Sequence, residues 1–240
     1  MKNKVFSLEE VLEKFHDGQS IMFANLHGML TAREIISGLV KKNVKGLTTI
    51  TTCCGQSDAS LGRLIANHQV KKCITTHLGM NPDGIAQMNS GELEVEFVPQ
   101  GTFAERIRAG GYGLGGILTP TGVGTIVAEG KQVITVNGRD YLLELPIRAD
   151  IALLHANKAD KAGNLHFRRL NRHAQGYMAM AADLVIVEAD ELVELGELDF
   201  DDIHVPAPIV DMIYVRQGEK RPLPDTWKRE LARLRAEGGK

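Results

Sequence analysis

No apolar run in the 240-residue chain approaches the roughly 20 residues that a helix needs to span a bilayer. Membrane insertion by a helix is therefore excluded. An excess of one charge is also missing: 28 Lys and Arg stand against 30 Asp and Glu, for a net charge of -2. No global positive field exists to collect nucleic acid or anionic lipid, and neither is an expected partner. Cysteine is scarce. Cys53, Cys54 and Cys73 are too few and too irregularly spaced for a disulfide framework or a zinc site, and they suit a reducing compartment. His155, His166 and His173 lack the close pair spacing of zinc motifs, and the acidic run from Glu188 to Asp202 lacks the Asp-x-Asp and glycine pattern of a calcium loop. No metal site is expected, and the acidic run reads as a solvated face. The N-terminal stretch MKNKVFSLEEVLEKF has neither the apolar run nor the small-residue cleavage site of a signal peptide, so the expected location is cytoplasmic. Linkers, repeats and low-complexity tracts are absent too. At roughly 150 residues per domain, residues 1–240 read as a single domain. Hydrophobic residues at 43% and charged residues at 24% are those of a soluble globular chain able to bury a full core.

What is present alternates. Ser7 with Glu10 forms a capping box, and Leu8, Val11, Leu12 and Phe15 follow as the apolar stripe of a helix. Strand-like runs Ser20 to Ala24, Leu47 to Thr52, Val70 to Thr75 and Leu93 to Val98 are separated by helix-sized segments. Of these, Thr31 with Glu34 and Thr102 with Glu105 carry the capping-box signature. In the middle, Gln132 to Val136 and Tyr141 to Leu145 flank Asn137-Gly138, a pair that tolerates positive φ and suits a type I′ hairpin. Ile151 to His155, Leu184 to Glu188 and Ile209 to Val215 read as later strands, and Asp225 opens a last helix carrying Trp227, Leu231 and Leu234. The pattern is that of an α/β protein with an open mixed, largely parallel sheet covered by helices.

Two motifs invite stronger readings. Residues Gly111 to Gly116 contain G-x-G-x-x-G, but a dinucleotide fingerprint needs a strand before it and a helix after it. Here it follows a helix and runs into Thr119-Pro120. Turning, or close backbone approach to a neighbouring chain or ligand, is the better use of these glycines. Cys53-Cys54-Gly55 sits at the end of a predicted strand, the edge at which ligands meet open α/β sheets. A cysteine nucleophile would need a base such as His77 and a third group to orient it, whereas a free cysteine is more often a small buried hydrophobe. Glu92 and Glu94, on the polar side of a strand, read as salt-bridge partners.

The stretch from Ser90 to Gly111, SGELEVEFVPQGTFAERIRAGG, resembles the alpha subunit of the family I coenzyme A-transferases of 3-oxoacid type. The likeness continues in Thr119 to Thr125 (TPTGVGT), Lys158 to Asn164 (KADKAGN) and Asp201 to Pro206 (DDIHVP), and extends from about Glu9 to about Val215. Chain length also resembles a free alpha subunit. The resemblance implies CoA transfer between an acyl-CoA and a short-chain carboxylic (3-oxo) acid, with coenzyme A as substrate and no resident cofactor. It implies a nucleophilic glutamate supplied by a beta subunit in a Glu-Asn-Gly type motif, a tripeptide this chain lacks. By the same likeness the alpha chain supplies a wall of the acyl pocket and a glutamine, Gln100, near the reacting carbonyl. A neutral amide can donate to a developing oxyanion without a countercharge that would trap a carboxylate substrate. Taken alone, Pro99-Gln100-Gly101 reads as a strand-to-helix turn.

Departures from the family pattern bear on the pocket. Phe23-Ala24-Asn25-Leu26-His27-Gly28 replaces a glycine-rich loop, keeping only Gly28 and adding bulk and an imidazole. Thr51-Thr52-Cys53-Cys54-Gly55 exchanges the family's two asparagine amides for a hydroxyl and a thiol. Asn157 stands where tryptophan is common. Asn25, His27, Gly28, Thr52 and Cys53 are thus the candidate substrate-binding residues and Gln100 the candidate catalytic one. Loss of amide donors points away from acetoacetate as a good acceptor. Two other activities fit the same residues, an acyl-CoA hydrolase subunit and a catalytically degenerate binding or scaffold subunit.

Overall fold

The computed structural model describes residues 3–25, 30–218 and 225–236. In chain order the elements are α1 (Leu8–Leu12), β1 (Ser20–Phe23), α2 (Arg33–Lys42), β2 (Leu47–Thr51), α3 (Gly62–Ala66), β3 (Val70–Thr75), α4 (Pro82–Ser90), β4 (Glu94–Phe97) and α5 (Gln100–Gly111). There follow β5 (Ile117–Thr119), β6 (Val133–Val136), β7 (Arg139–Glu144), β8 (Ala149–Ala156), β9 (Lys158–Asp160), β10 (Leu165–His166), α6 (Gln175–Met180), β11 (Ala182–Ala189), β12 (Leu192–Val193), β13 (Met212–Val215) and α7 (Asp225–Ala236).

A seven-stranded sheet in the order β13-β11-β8-β1-β2-β3-β4 forms the centre. Every pairing in it is parallel. From β1 the chain steps outward through β2, β3 and β4, then returns to lay β8, β11 and β13 on the other side of β1. The strand order reverses between β1 and β8, which makes that the switch point at which side chains from both halves meet. The antiparallel component expected from Asn137-Gly138 is not part of this sheet. It lies in a separate three-stranded sheet, β5-β7-β6, whose hairpin turns at Asn137 (φ 51°) and Gly138 (φ 74°), the two positive values a type I′ turn requires.

Alternation along the strands divides the core into two layers. Met22, Ile50, Ala152, Leu154, Val185 and Val187 face one way, with Phe103, Ile107 and Met178 of α5 and α6 packed over them. Ile21, Phe23, Ile151, Leu153 and Ile186 face the other, under Val11, Ile35, Ile36, Leu39, Leu64 and Ile65 of α1, α2 and α3. A parallel strand buried on both faces reads as an unbroken apolar run, which is how β8 and β11 appear in the sequence. Of the glycines near the dinucleotide-like motif, Gly110 shows the constraint: a Cβ there would lie 2.2 Å from the Ile147 carbonyl oxygen. This close approach is to the chain's own backbone, and the motif runs from a helix into a strand, the reverse of the nucleotide-binding context.

Capping held in one of three places. At α1, Ser7 Oγ accepts the Glu10 N–H at 3.2 Å and Glu10 Oε2 accepts the Ser7 N–H at 2.8 Å. At α5 the helix starts two residues before Thr102, with Pro99 before its first turn, because proline's fixed φ and missing N–H suit a helix start. Glu105 instead pairs with Arg108 at 2.6 Å. At α2, neither Thr31 nor Glu34 caps the helix. Glu34 accepts from the Tyr214 hydroxyl at 2.5 Å and the Gly218 N–H at 2.7 Å.

The start of α2 is capped by Glu188 of β11, which corrects the reading of residues 188–202 as a solvated acidic face. Glu188 is fully buried. Its Oε1 accepts the Arg33 N–H at 2.9 Å, and its Oε2 accepts those of Glu34 and Ile35 at 2.8 and 3.0 Å. Spacing along the sequence could not show that a strand residue 155 positions downstream of the helix start would place its carboxylate there. Burial pushes the Glu188 carboxyl up to about 7, against the opposing pull of these N–H groups and of Arg216. A carboxyl raised in the folded state binds more protons there than in the unfolded chain, so this group's contribution to stability declines as pH rises from about 4.5 towards 7. Glu188→Gln is expected to flatten that decline in thermal denaturation across pH 5 to 8. Glu188→Ala is expected to cost roughly 3 kcal/mol, since three N–H groups of α2 lose their acceptor and the buried Arg216 loses an ion-pair partner at 3.9 Å; an unchanged Tm for Glu188→Ala would show that the cap contributes nothing.

Candidate active site at the C-terminal edge of the sheet

Three loops leaving β1, β2 and β3 and the helix leaving β4 meet along one edge. Asn25 follows β1, Thr52 and Cys53 follow β2, Thr76 follows β3, and Gln100 opens α5 after β4. Parallel strands deliver their C-terminal ends side by side, so residues far apart in sequence become neighbours without any local signal.

A chain of hydrogen bonds ties them together. The Asn25 side-chain amide donates to the Cys53 carbonyl at 2.8 Å, and Thr51 Oγ1 donates to that same carbonyl at 3.0 Å. Thr52 Oγ1 donates back to the Asn25 carbonyl at 2.6 Å. The Thr76 hydroxyl lies 2.5 Å from the Thr52 carbonyl oxygen and 3.1 Å from Gln100 Oε1. Asn25, Thr52 and Cys53 are buried, Thr76 is half-buried and Gln100 is exposed. The sequence-derived candidates therefore fall into two layers: a buried frame of Asn25, Thr52 and Cys53, and an accessible amide at Gln100 resting on that frame through Thr76. His27 and Gly28 lie outside the described residues. Thr76 was missed in the sequence. Thr52 was singled out by its departure from the family's asparagine; the signal that could have found Thr76 is its place one residue past a parallel strand.

The cysteines are arranged as buried small side chains. Cys54 Sγ lies 3.2 Å from Cys73 Sγ, and the hydrogen bond to Cys73 together with burial pushes the Cys54 thiol well up, away from the thiolate that a nucleophile needs. His77 meets Cys54 through its backbone, its carbonyl accepting the Cys54 N–H at 3.3 Å, while its residue surface is exposed.

On the other side of the switch point a second polar network closes the edge. His155 Nε2 lies 2.9 Å from Asp190 Oδ1 and Asn157 Nδ2 donates to Asp190 Oδ2 at 3.1 Å, with Arg216 also bonded to Asp190. Asn157 Oδ1 accepts the Arg168 N–H at 2.6 Å. The departure at Asn157 thus fills a structural place between β8 and the loop after β10. His173 lies against the Asn25 backbone, and burial holds its imidazole below the usual range. In the Lys158 to Asn164 motif, Asp160 Oδ1 accepts the N–H groups of Ala162, Gly163 and Asn164 at 2.9–3.0 Å, which makes the motif a self-bonded turn. Glu94 pairs with Lys72 from β4, the salt-bridge role its strand position implies, whereas Glu92 precedes the strand and pairs with His68 from the turn after α4. A groove of about 640 Å³ between α1 and α2, lined by Leu8, Leu12, Ser37 and Lys41 among others, includes none of the edge residues. Among the described residues no cluster of three or more His, Cys, Asp or Glu could hold a metal ion, and no helix is long and apolar enough to cross a membrane.

Comparison with known proteins places this edge in context. The family model for coenzyme A transferase matches residues 5–216. The chain is 45% identical over 220 residues to the acetate CoA-transferase subunit alpha of Escherichia coli, covering 92% of this chain and 100% of that one. It is 43% identical over 213 residues to the acetoacetyl-CoA:acetate/butyrate CoA transferase alpha subunit of Clostridium acetobutylicum, covering 89% and 98%. Among solved structures, an acyl-CoA transferase of Escherichia coli superposes with a TM-score of 0.80 at 20% identity, over 91% of this chain; the chain spans 48% of that protein's length. The decarboxylase AibA/AibB superposes with a TM-score of 0.78 at 22% identity, over 100% of this chain and 96% of that one. At such identities the superpositions speak for the fold alone, and a fold shared with a decarboxylase does not choose a reaction. Sequence identity above 40% along nearly the whole length does assign kinship: the chain is a member of the coenzyme A transferase family, of the alpha-subunit type.

Proposed function

We propose that this chain, paired with a beta subunit carrying the nucleophilic glutamate, moves CoA between an acyl-CoA and a short-chain carboxylic acid. The observation that carries the reading is the exposed Gln100 amide, held at the start of α5 on the C-terminal edge of the sheet by the Thr76–Thr52–Asn25 bonds. In the proposed sequence the partner's carboxylate attacks the thioester carbonyl, whose oxygen becomes an oxyanion. Gln100 Nε2 donates to that oxygen. The carbonyl re-forms as CoA thiolate departs, leaving an acyl anhydride on the partner's glutamate. The thiolate then attacks the glutamyl carbonyl, releasing the first acid and forming a glutamyl-CoA thioester, and the acceptor acid repeats the steps in reverse. A neutral donor suits every oxyanion along this path because it adds no charge to bind the carboxylates of donor or acceptor too tightly.

Asn25, Thr52 and Cys53 frame the acyl pocket in this reading, and His27 and Gly28 are further candidates for binding the substrate. Coenzyme A acts as a substrate and no resident cofactor takes part. The location is the cytoplasm, and residues 1–240 act as one domain. Acetoacetate is a poor acceptor because Thr52 and Cys53 replace amide donors, and the Thr52 hydroxyl is already engaged by the Asn25 carbonyl.

The test is an assay of the reconstituted heteromer with butyryl-CoA, alone and with acetate or acetoacetate. Transfer requires acetyl-CoA to appear when acetate is present, in greater yield than acetoacetyl-CoA when acetoacetate is. Release of free CoA at the same rate with or without an acid would establish a hydrolase instead, and absence of any turnover would establish a degenerate subunit.

A further inference from the structure

We infer that Thr76 is a positioning residue that sets which end of the Gln100 amide faces the reacting carbonyl, an inference that rests on the donor role proposed above for Gln100. Thr76 sits one residue past β3, and its hydroxyl lies between two acceptors, the Thr52 carbonyl oxygen at 2.5 Å and Gln100 Oε1 at 3.1 Å. The two ends of a carboxamide differ in what they can do and are distinguished by their hydrogen-bond surroundings. With the oxygen end against Thr76, the nitrogen end, which carries both protons, is left for the reacting carbonyl. Gln100 is exposed, so little else restrains its long side chain, and an unrestrained amide would spend part of its time offering a carbonyl oxygen to an oxyanion, which repels it.

A hydroxyl has one proton. In the resting geometry the two carbonyl oxygens share it as a three-centre bond, so Gln100 Oε1 has a donor in place before the reaction begins. When negative charge develops beside Nε2, amide resonance moves electron density onto Oε1 and draws that proton towards Gln100. The bond from Thr76 therefore strengthens as the oxyanion forms, by the mutual polarisation of linked hydrogen bonds. An interaction that grows towards the transition state acts on kcat and leaves ground-state binding of the acyl-CoA nearly unchanged. The Thr52 carbonyl has the complementary part: it fixes the hydroxyl's place so that Thr76 cannot rotate away from Gln100.

The experiment compares Thr76→Val, Thr76→Ser and Thr76→Ala in the heteromer, each alone and combined with Gln100→Ala, with kcat, KM for acyl-CoA and Tm measured for every variant. Thr76→Val and Thr76→Ala are expected to lower kcat on the order of tenfold, the worth of one hydrogen bond, with KM little changed; Thr76→Ser, which keeps the hydroxyl, is expected to stay near wild type. In the Gln100→Ala background the Thr76 substitutions are expected to have no further effect on kcat. Wild-type kcat in Thr76→Val beside a slow Gln100→Ala would overturn the inference and leave the donor role standing. A full additional loss in the double variant would also overturn it, since Thr76 would then act through the Thr52 carbonyl alone. Wild-type kcat in Gln100→Ala would show that the donor role itself fails. Should Thr76→Val lower the Tm of the heteromer, the comparison of Thr76→Ser with Thr76→Ala decides the question.

Discussion

The isolated chain is expected to transfer no CoA, and transfer is expected to appear on mixing with a beta subunit. Among the edge residues Asn25, Thr52, Cys53, Thr76 and Gln100 there is no carboxylate. The buried acids at the far side of the switch point are already engaged, Glu188 by three N–H groups of α2 and Asp190 by Arg216, His155 and Asn157. Nor does the sequence hold the Glu-Asn-Gly tripeptide of the family's nucleophile. Without a covalent nucleophile the path through anhydride and thioester is closed, and the loss is the whole activity rather than a fraction of it. Borohydride trapping of the enzyme-bound thioester during turnover should label the partner alone. Substantial transfer by this chain alone, or an acyl group found on Cys53 or Cys54 after acid quenching of the turnover mixture, would sink the assignment and move the chemistry to the thiols. The raised Cys54 thiol argues against that outcome at Cys54.

Replacing Gln100 by Ala in the heteromer is expected to lower kcat on the order of 100-fold or more, as loss of one oxyanion donor does elsewhere. The KM for acyl-CoA should change little, because the amide's strongest bond is to charge that exists only in the transition state. The side chain is exposed and makes one bond to the body of the protein, to Thr76, so the substitution should leave Tm close to wild type. A rate equal to wild type would reduce Pro99-Gln100-Gly101 to a strand-to-helix turn. A parallel rise in KM with unchanged kcat would make Gln100 a ground-state binding residue.

The α/β class, the family, and the candidates at Asn25, Thr52, Cys53 and Gln100 were all legible in the sequence, because each depends on patterns that are local. Short apolar runs bounded by turn residues mark strands, the Ser7–Glu10 box marks a helix start, and a residue just past a parallel strand falls at the edge where sites form. Long contiguous motifs such as VPQGTFAERIRAGG carry kinship for the same reason. What local pattern could not supply was the pairing of distant polar groups. Thr31 with Glu34 looks like a cap in one dimension. In three, Glu188 takes that place, because β11 lies beside β8 and its side chain reaches the free N–H groups of α2. Thr76 has no neighbour in sequence to explain it. Its meaning arises when β2, β3 and β4 align in register and bring the Thr52 carbonyl and the Gln100 amide to one hydroxyl. Sequence by itself determined the elements, the class and the residue types available for chemistry, since these follow from side-chain periodicity and backbone propensity. Only the tertiary structure decided which donor meets which acceptor, since a buried hydrogen bond forms where packing brings its partners within about 3 Å, whatever their separation along the chain.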